Sequence, residues 1–305
     1  MRREGLSAVT YMAIKIRGKM NKGKFCTIDD VKIWYKTTGK GMPVVFLHGW
    51  SVDHLIWENQ FEKIGWLQKR NFQRIYFDLP GMGKSITNHR IHNSDDMLAV
   101  ISRFIDRMVQ GKHFLLAGES YGGYLARGLL LTKEEQIDGL LLLCPLIFPG
   151  YRTGSHSEHI VLERDEKFMD SLSQEEKAGY QDLSVVQTKS TYRDYLRDIH
   201  VAVAKGNENF LKSELDGSCT EDINKNPFIF KKPALILTGR QDTEVGFRDQ
   251  YDICKNFPRA SLLIVDKAGH NLQIEQQKIF RTSIVEWLER VMQNNRELIN
   301  KKYIK

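Results

Sequence analysis

His113-Phe114-Leu115-Leu116-Ala117-Gly118-Glu119-Ser120-Tyr121-Gly122-Gly123-Tyr124-Leu125-Ala126 passes from a short apolar run, through a glycine-flanked serine, into apolar residues at helical spacing. The run before Gly118 reads as a strand buried on both faces, and residues 123–131 read as a helix. Gly118-Glu119-Ser120-Tyr121-Gly122 fits G-x-S-x-G, the pattern of a serine held on a sharp strand-to-helix turn. Such a turn strains the serine backbone, and the glycines are needed where a Cβ would strike the neighbouring strand or helix. The serine side chain then projects from the end of the sheet. The amide of Tyr121 lies at the helix N-terminus, where it can stabilise an oxyanion. Short Gly/Ser patterns recur by chance, so this reading depends on the rest of the chain.

Working upstream, residues 43–47 are a second continuous apolar run, and His48-Gly49-Trp50 follows it. Residues 25–28 and 31–36 are β-rich and separated by Asp29-Asp30, a hairpin signal. Residues 51–70 carry helical spacing. Residues 74–77 form a strand that ends in Asp78-Leu79-Pro80-Gly81-Met82-Gly83-Lys84-Ser85. The last five of these resemble the end of a phosphate-binding loop, but Asp78 stands where that motif needs its first glycine, which argues against nucleotide binding. Residues 95–110 predict an amphipathic helix with Leu98, Ile101, Ile105 and Met108 on one face and Ser94 as N-cap. Downstream, residues 137–144 form another buried strand, stopped by Pro145. Strands at 233–238 and 261–265 and a helix at 276–292 complete the alternation, which implies an α/β fold with a mostly parallel central sheet and helices on both faces.

Residues 148–230 break this alternation. They are polar, charged and tyrosine-rich, with helical patches at 162–172, 180–195 and 199–215 and no convincing buried strand. The expected organisation is a core of residues 20–147 and 231–305 with a helical cap, or lid, of residues 148–230. Residues 1–19 read as a leader, disordered or an upstream extension, because Met12 and Met20 are alternative starts and no secretory signal pattern is present.

With 305 residues, 41% of them hydrophobic, the chain is long enough for a sizeable core. No run reaches the roughly 18 apolar residues of a membrane span, so no stable membrane insertion is expected. The net charge of +7 is spread along the chain apart from basic ends, without the aromatic interleaving of a nucleic-acid surface, and no nucleic-acid partner is expected. Cys26, Cys144, Cys219 and Cys254 are scattered and lack metal-ligand spacing. Free thiols in the cytoplasm are the expectation, with no metal and no cofactor. Monomer and homodimer are equally open.

A serine hydroxyl needs a histidine to take its proton, and that histidine needs a carboxylate to orient it. Asp242 follows one strand in Gly239-Arg240-Gln241-Asp242, and His270 follows the last strand in Ala268-Gly269-His270. Ser120, Asp242 and His270 therefore all lie just beyond strand C-termini, where open α/β sheets place their sites. Asp266, directly at a strand end, is a weaker candidate for the acid.

Taken with Leu47-His48-Gly49-Trp50 and the Asp78–Ser85 loop, these blocks resemble the α/β-hydrolase fold family, in its capped, esterase- and lipase-like branch. The resemblance spans nearly the whole chain outside the leader and the insertion. It implies Ser120 as nucleophile, His270 as base and Asp242 as acid, with an oxyanion hole from the Trp50 and Tyr121 amides. His48 is expected to order the oxyanion loop and Asp78 to tie loop backbone together. Trp50, Phe148, Tyr151, Phe168, Tyr192 and Tyr195 are the candidates for substrate contact, with Leu172 as a further inward-facing lid residue. The implied reaction is hydrolysis of a carboxylic ester of small or medium size through an acyl-enzyme intermediate. Two alternatives stand beside it. One is an aminopeptidase resembling prolyl iminopeptidases, with Glu158, Glu163 or Glu166 holding the substrate amine. The other is a ligand-sensing, hydrolase-like signalling protein with slow turnover. His156 and His159, on the polar insertion, read as solvated.

Overall fold

The computed structural model describes residues 22–88, 90–149, 158–207, 209–215, 223–225 and 228–303, together with Val9 and Lys15. Apart from Val9 and Lys15, both helical, the leader lies outside the described residues, as do Tyr151, His156 and Cys219.

The chain opens with a hairpin of β1 (Lys24–Ile28) and β2 (Val31–Thr38). Asp29 and Asp30 turn it at φ 46° and 67°, the pair of positive φ values that a type I′ turn demands. The remaining strands of the main sheet are β3 (Met42–Leu47), β4 (Phe72–Phe77), β5 (Phe114–Glu119), β6 (Ile137–Leu143), β9 (Ala234–Gly239) and β10 (Ala260–Val265). Two short strands, β7 (Glu163–Arg164) and β8 (Val186–Gln187), pair separately within the insertion. The main sheet runs β1-β2-β4-β3-β5-β6-β9-β10. From β4 onward every neighbouring pair is parallel, whereas β1–β2 and β2–β4 are antiparallel.

Burial follows the sequence pattern. Every residue of β5, β6 and β9 is buried, as befits strands covered by helices on both faces. The edge strand β10 is mostly half-buried. The chain leaves β3 toward β4 and returns on the other side at β5, so the strand order reverses between β3 and β5. A crevice at such a switch point is where open α/β sheets bind ligands.

Helix Ser94–Val109 buries Met97, Val100, Ile101, Phe104, Ile105 and Val109. Its N-cap is Asn93, whose side chain accepts from Asp96 N at 3.0 Å, not the expected Ser94. The Ser94 hydroxyl is buried and bonds instead to the Tyr121 hydroxyl at 2.7 Å. Leu98 and Met108 are half-buried at the margin of the core. The last helix, Gln277–Tyr303, runs past the expected end and buries Phe280, Ile284, Trp287, Leu288 and Val291.

Between residues 158 and 207 the chain forms the short helices Glu166–Asp170, Gln174–Lys177 and Tyr180–Leu183 and a longer helical run, Lys189–Lys205, that includes a π turn at Leu196–His200. Two of them start with reciprocal caps, from Ser173 and Thr188. Their buried side chains join the core cluster on one face of the sheet: the Tyr180 ring lies 5.0 Å from Tyr192 and 5.3 Å from Tyr195, and Phe168 meets Tyr192 at a tilt, 5.5 Å away. Several carboxylates tie this layer to the sheet domain, Asp198 and Glu275 among them. Buried Asp198 accepts from Asn59 Nδ2 at 2.6 Å and Gln60 Nε2 at 3.0 Å on helix Leu55–Phe61. Glu275 accepts from Val185 N at 2.6 Å and Val186 N at 3.2 Å through one oxygen, and from Gly269 N at 2.6 Å through the other. Among the described residues, no helix is long and apolar enough to cross a membrane.

Candidate active site

Ser120 stands between β5 and helix Tyr121–Lys133 with φ 50° and ψ −118°, a conformation that side chains with a Cβ rarely adopt. The surroundings hold it there. Its N–H donates to Leu143 O at 3.0 Å, and its carbonyl accepts from Gly123 N at 2.9 Å, Tyr124 N at 3.2 Å and Leu146 N at 2.9 Å. The two glycines of the motif are required by contact: a Cβ on Gly118 would lie 2.3 Å from Gly122 O, and one on Gly122 2.3 Å from Leu47 O. The second contact presses the turn against the end of β3, the strand that leads into His48-Gly49-Trp50.

His270 follows β10 and Asp242 follows β9. Although 28 residues apart, they meet, with His270 Nδ1 2.9 Å from Asp242 Oδ2. Asp242 is fully buried, and its other oxygen accepts the amides of Glu244 at 2.9 Å and Val245 at 3.0 Å. That arrangement fixes the carboxylate and thereby the ring. Burial disfavours charge on His270, but Asp242 and then Glu119 outweigh it and raise the imidazole to about 9. The remaining ring nitrogen, Nε2, lies 3.6 Å from Glu119 Oε1. Asp266 is exposed and accepts from Gln241 Nε2 at 2.9 Å.

The His48-Gly49-Trp50 loop rests on a polar layer. His48 is fully buried; its Nδ1 donates to Gly49 O at 2.8 Å, and its Nε2 accepts from Leu79 N at 2.8 Å. That pair of bonds specifies the neutral ring with the proton on Nδ1, in keeping with the lowering of its pKa by burial. Asp78 accepts from His54 N at 2.9 Å, His54 Nδ1 at 2.6 Å and Lys84 N at 2.8 Å, joining two loops. Burial opposes charge on both partners, yet their mutual attraction prevails: Asp78 falls to about 2 and His54 rises above its ordinary value. Next to the serine, the rings of Trp50 and Tyr121 meet edge to face at 5.0 Å.

A cavity of about 330 Å³ brings Ser120, Glu119 and His270 together with Gly49, Trp50, Ser51, Val52, Ile56, Leu146, Glu244, Val245 and Asn271. From the insertion it receives Leu183, Ile199 and Val203. Of the expected substrate contacts, Trp50 lines this cavity. Phe148 lines a different one, beside Arg127 and Phe257, while Phe168, Tyr192 and Tyr195 pack on each other and on Tyr180. Leu172 packs against the core. Glu163 pairs with Lys267 at 3.3 Å and Glu166 with Arg164 at 2.8 Å, while Glu158 is exposed. His159 Nε2 lies 3.4 Å from Ser184 O.

Sequence reasoning did not single out Glu119, His54 or Glu275. Glu119 occupies the free position of the motif, and the others find partners far along the chain. Among the described residues, two groups place three possible metal ligands within 4.8 Å: Cys144 with Asp242 and His270, and Asp53 with His54 and Asp78. In each the carboxylate already serves a histidine and two backbone amides, which a cation would have to displace.

Comparison with known proteins agrees with this fold. A family model described as the alpha/beta hydrolase fold matches residues 42–277. An AB hydrolase superfamily protein, YisY, of Bacillus subtilis is 25% identical over 269 residues, covering 86% of this chain and 97% of its own. A 2-hydroxy-6-oxononadienedioate/2-hydroxy-6-oxononatrienedioate hydrolase of Burkholderia vietnamiensis is 26% identical over 279 residues, covering 86% and 92%. The crystal structure of an alpha/beta superfamily hydrolase from Oenococcus oeni superposes with a TM-score of 0.78 at 27% identity, over 85% of this chain and 96% of that one. With the family match spanning most of the sheet, the elbow and the loops after β9 and β10, this chain belongs to the α/β-hydrolase fold family.

Proposed function

We propose that the protein is a serine hydrolase that cleaves a carboxylic ester of small or medium size, with Ser120 as nucleophile, His270 as base and Asp242 as orienting acid. The observation that carries this reading is the strained Ser120 turn opening into the same cavity as a histidine whose far nitrogen is held by a buried aspartate. Neutral His270 takes the hydroxyl proton as Oγ attacks the ester carbonyl. The oxyanion is received by the Trp50 and Tyr121 amides, and the imidazolium returns its proton to the leaving alkoxide. Water, deprotonated by the same nitrogen, then attacks the acyl-enzyme and frees the acid.

The cavity wall favours an uncharged ester. It is mostly apolar, it carries the carboxyl groups of Glu119 and Glu244, and among the described residues lining it there is no Lys or Arg. A dicarboxylate of the kind named for the Burkholderia relative would meet like charge there. Leu183, Ile199 and Val203 are the lid side chains placed to select the acyl group. No substrate-amine carboxylate of the expected set lines the cavity, so the aminopeptidase reading gains no support. The free thiols Cys26, Cys144 and Cys254 suit a reducing cytoplasm.

A serine-directed fluorophosphonate should label the wild type at Ser120. Ser120→Ala should lose on the order of 10⁶-fold in kcat on a neutral aryl ester. Labelling at another residue, or a Ser120→Ala enzyme that keeps more than a small fraction of its activity, overturns the assignment. Single turnover with a stable adduct would favour the sensor reading.

A further inference from the structure

Glu119 is the charged residue of an otherwise apolar strand end, and the G-x-S-x-G pattern places no demand on it. It is 2% exposed. Its Oε2 has no hydrogen-bond partner, and its Oε1 lies 3.6 Å from His270 Nε2, the nitrogen that must take the serine proton. The oxyanion loop closes over it so tightly that a Cβ on Gly49 would lie 2.3 Å from Oε2. The ionisable groups around this pair come from every neighbouring element. Asp242 and Glu244 lie beyond β9, the Cys144 thiol lies at the end of β6, and Glu275 holds the Gly269 amide behind the ring. All of these are acids, and burial keeps the Cys144 thiol protonated. The Gly49 backbone gives the carboxylate some support, but burial still disfavours a lone charge there, so an ionised Glu119 is balanced by a proton on His270.

Resting on the Ser120–His270–Asp242 reading, we propose that Glu119 is a positioning residue whose carboxylate clamps the His270 imidazolium at Nε2, opposite Asp242, so that the resting enzyme must release this proton before His270 can accept the one from Ser120. The same carboxylate stabilises the imidazolium when attack regenerates it. Burial pushes Glu119 up to about 7, and the two flanking carboxylates hold His270 near 9. The pair therefore shares one proton between these limits. Activity then rises late, on the alkaline side, and reaches a higher plateau than an ordinary histidine base would give.

The test follows the ¹³C resonance of the His270 imidazole, identified by its loss in His270→Ala, in full-length wild type, Glu119→Gln and Glu119→Asp. The kcat/KM–pH profile is recorded on a neutral aryl ester with the same proteins. Wild-type His270 should titrate well above 7. Glu119→Gln should move both midpoints toward acid by about one to three pH units and lower the alkaline plateau by roughly tenfold, while Glu119→Asp recovers part of the shift. An ordinary wild-type midpoint near 6.5 overturns the clamp without any variant, as does an unmoved midpoint in folded Glu119→Gln. Fluorophosphonate labelling separates the two ideas: a labelled Ser120 with an unmoved His270 sinks the clamp alone, and an unlabelled Ser120 sinks the hydrolase reading on which it rests.

Discussion

Replacing Ser120 by glycine should make the protein more stable than replacing it by alanine, although both variants lack the hydroxyl. The residue sits at φ 50° and ψ −118°, and any Cβ there carries strain of roughly 1–3 kcal/mol. Alanine keeps that strain and glycine releases it. Against this, glycine gives the unfolded chain more freedom, worth about 0.4–1 kcal/mol. The backbone bonds that hold the turn, from Ser120 N to Leu143 O and from three amides to Ser120 O, are common to both variants. The balance favours glycine by about 1 kcal/mol, or roughly 2 °C in Tm for a chain of this size. Urea unfolding of the two variants, followed by circular dichroism, gives the difference directly, and calorimetry checks its sign. A glycine variant less stable than the alanine variant would refute the claim that strain is stored at Ser120.

Three further predictions test the neighbouring structure. Gly122→Ala should lose about 3 kcal/mol, because the new Cβ would meet the carbonyl oxygens of Leu47 at 2.3 Å and His48 at 2.5 Å; an unchanged Tm contradicts the close approach. Asp242→Asn should keep the fold and lose on the order of 10⁴-fold in kcat, since an amide orients the ring without supporting its charge; a loss of less than tenfold would remove Asp242 from the proposal. The third concerns pH. Asp78 is held at about 2 against an ordinary 3.8, so its contribution to stability is complete above the ordinary value and disappears as pH falls toward 2. The raised His54 contributes below its ordinary value and loses that as pH rises through its folded one. Urea midpoints of wild type should therefore fall more steeply between pH 5 and 2 than those of Asp78→Asn, and parallel curves would count against the buried pair.

The sheet was legible because its strands are buried on both faces. Residues 43–47, 114–117 and 234–237 are continuous apolar runs for that reason, and the loops that follow them carry Trp50, Ser120 and Asp242. The lid was less so. Its expected helices at 162–172, 180–195 and 199–215 are interrupted by the β7–β8 pair, at 163–164 and 186–187, and by Gly206. The run that carries Tyr192 and Tyr195, Lys189–Lys205, is continuous but passes through a π turn at Leu196–His200, which breaks the 3.6-residue spacing from which an inward face is read. Phe168, Tyr192 and Tyr195 were expected at the substrate, yet Tyr192 and Tyr195 pack around Tyr180, within the core cluster that the insertion shares with the sheet. The polar layer under the oxyanion loop was hidden for another reason. His54 reads as one more residue of a helical stretch, and its partner Asp78 is 24 residues away, a pairing that no local pattern encodes.

Glu275 grips the lid at Val185 and Val186 with one oxygen and the loop of His270 at Gly269 with the other. One carboxylate thus makes an interlock between a door and the working part behind it. If the insertion lifts along this edge, the loop that carries His270, the proposed base, loses its backstop in the same movement. On the proposed reading, the site would then be disarmed while this side stands open to water and armed again only on closing.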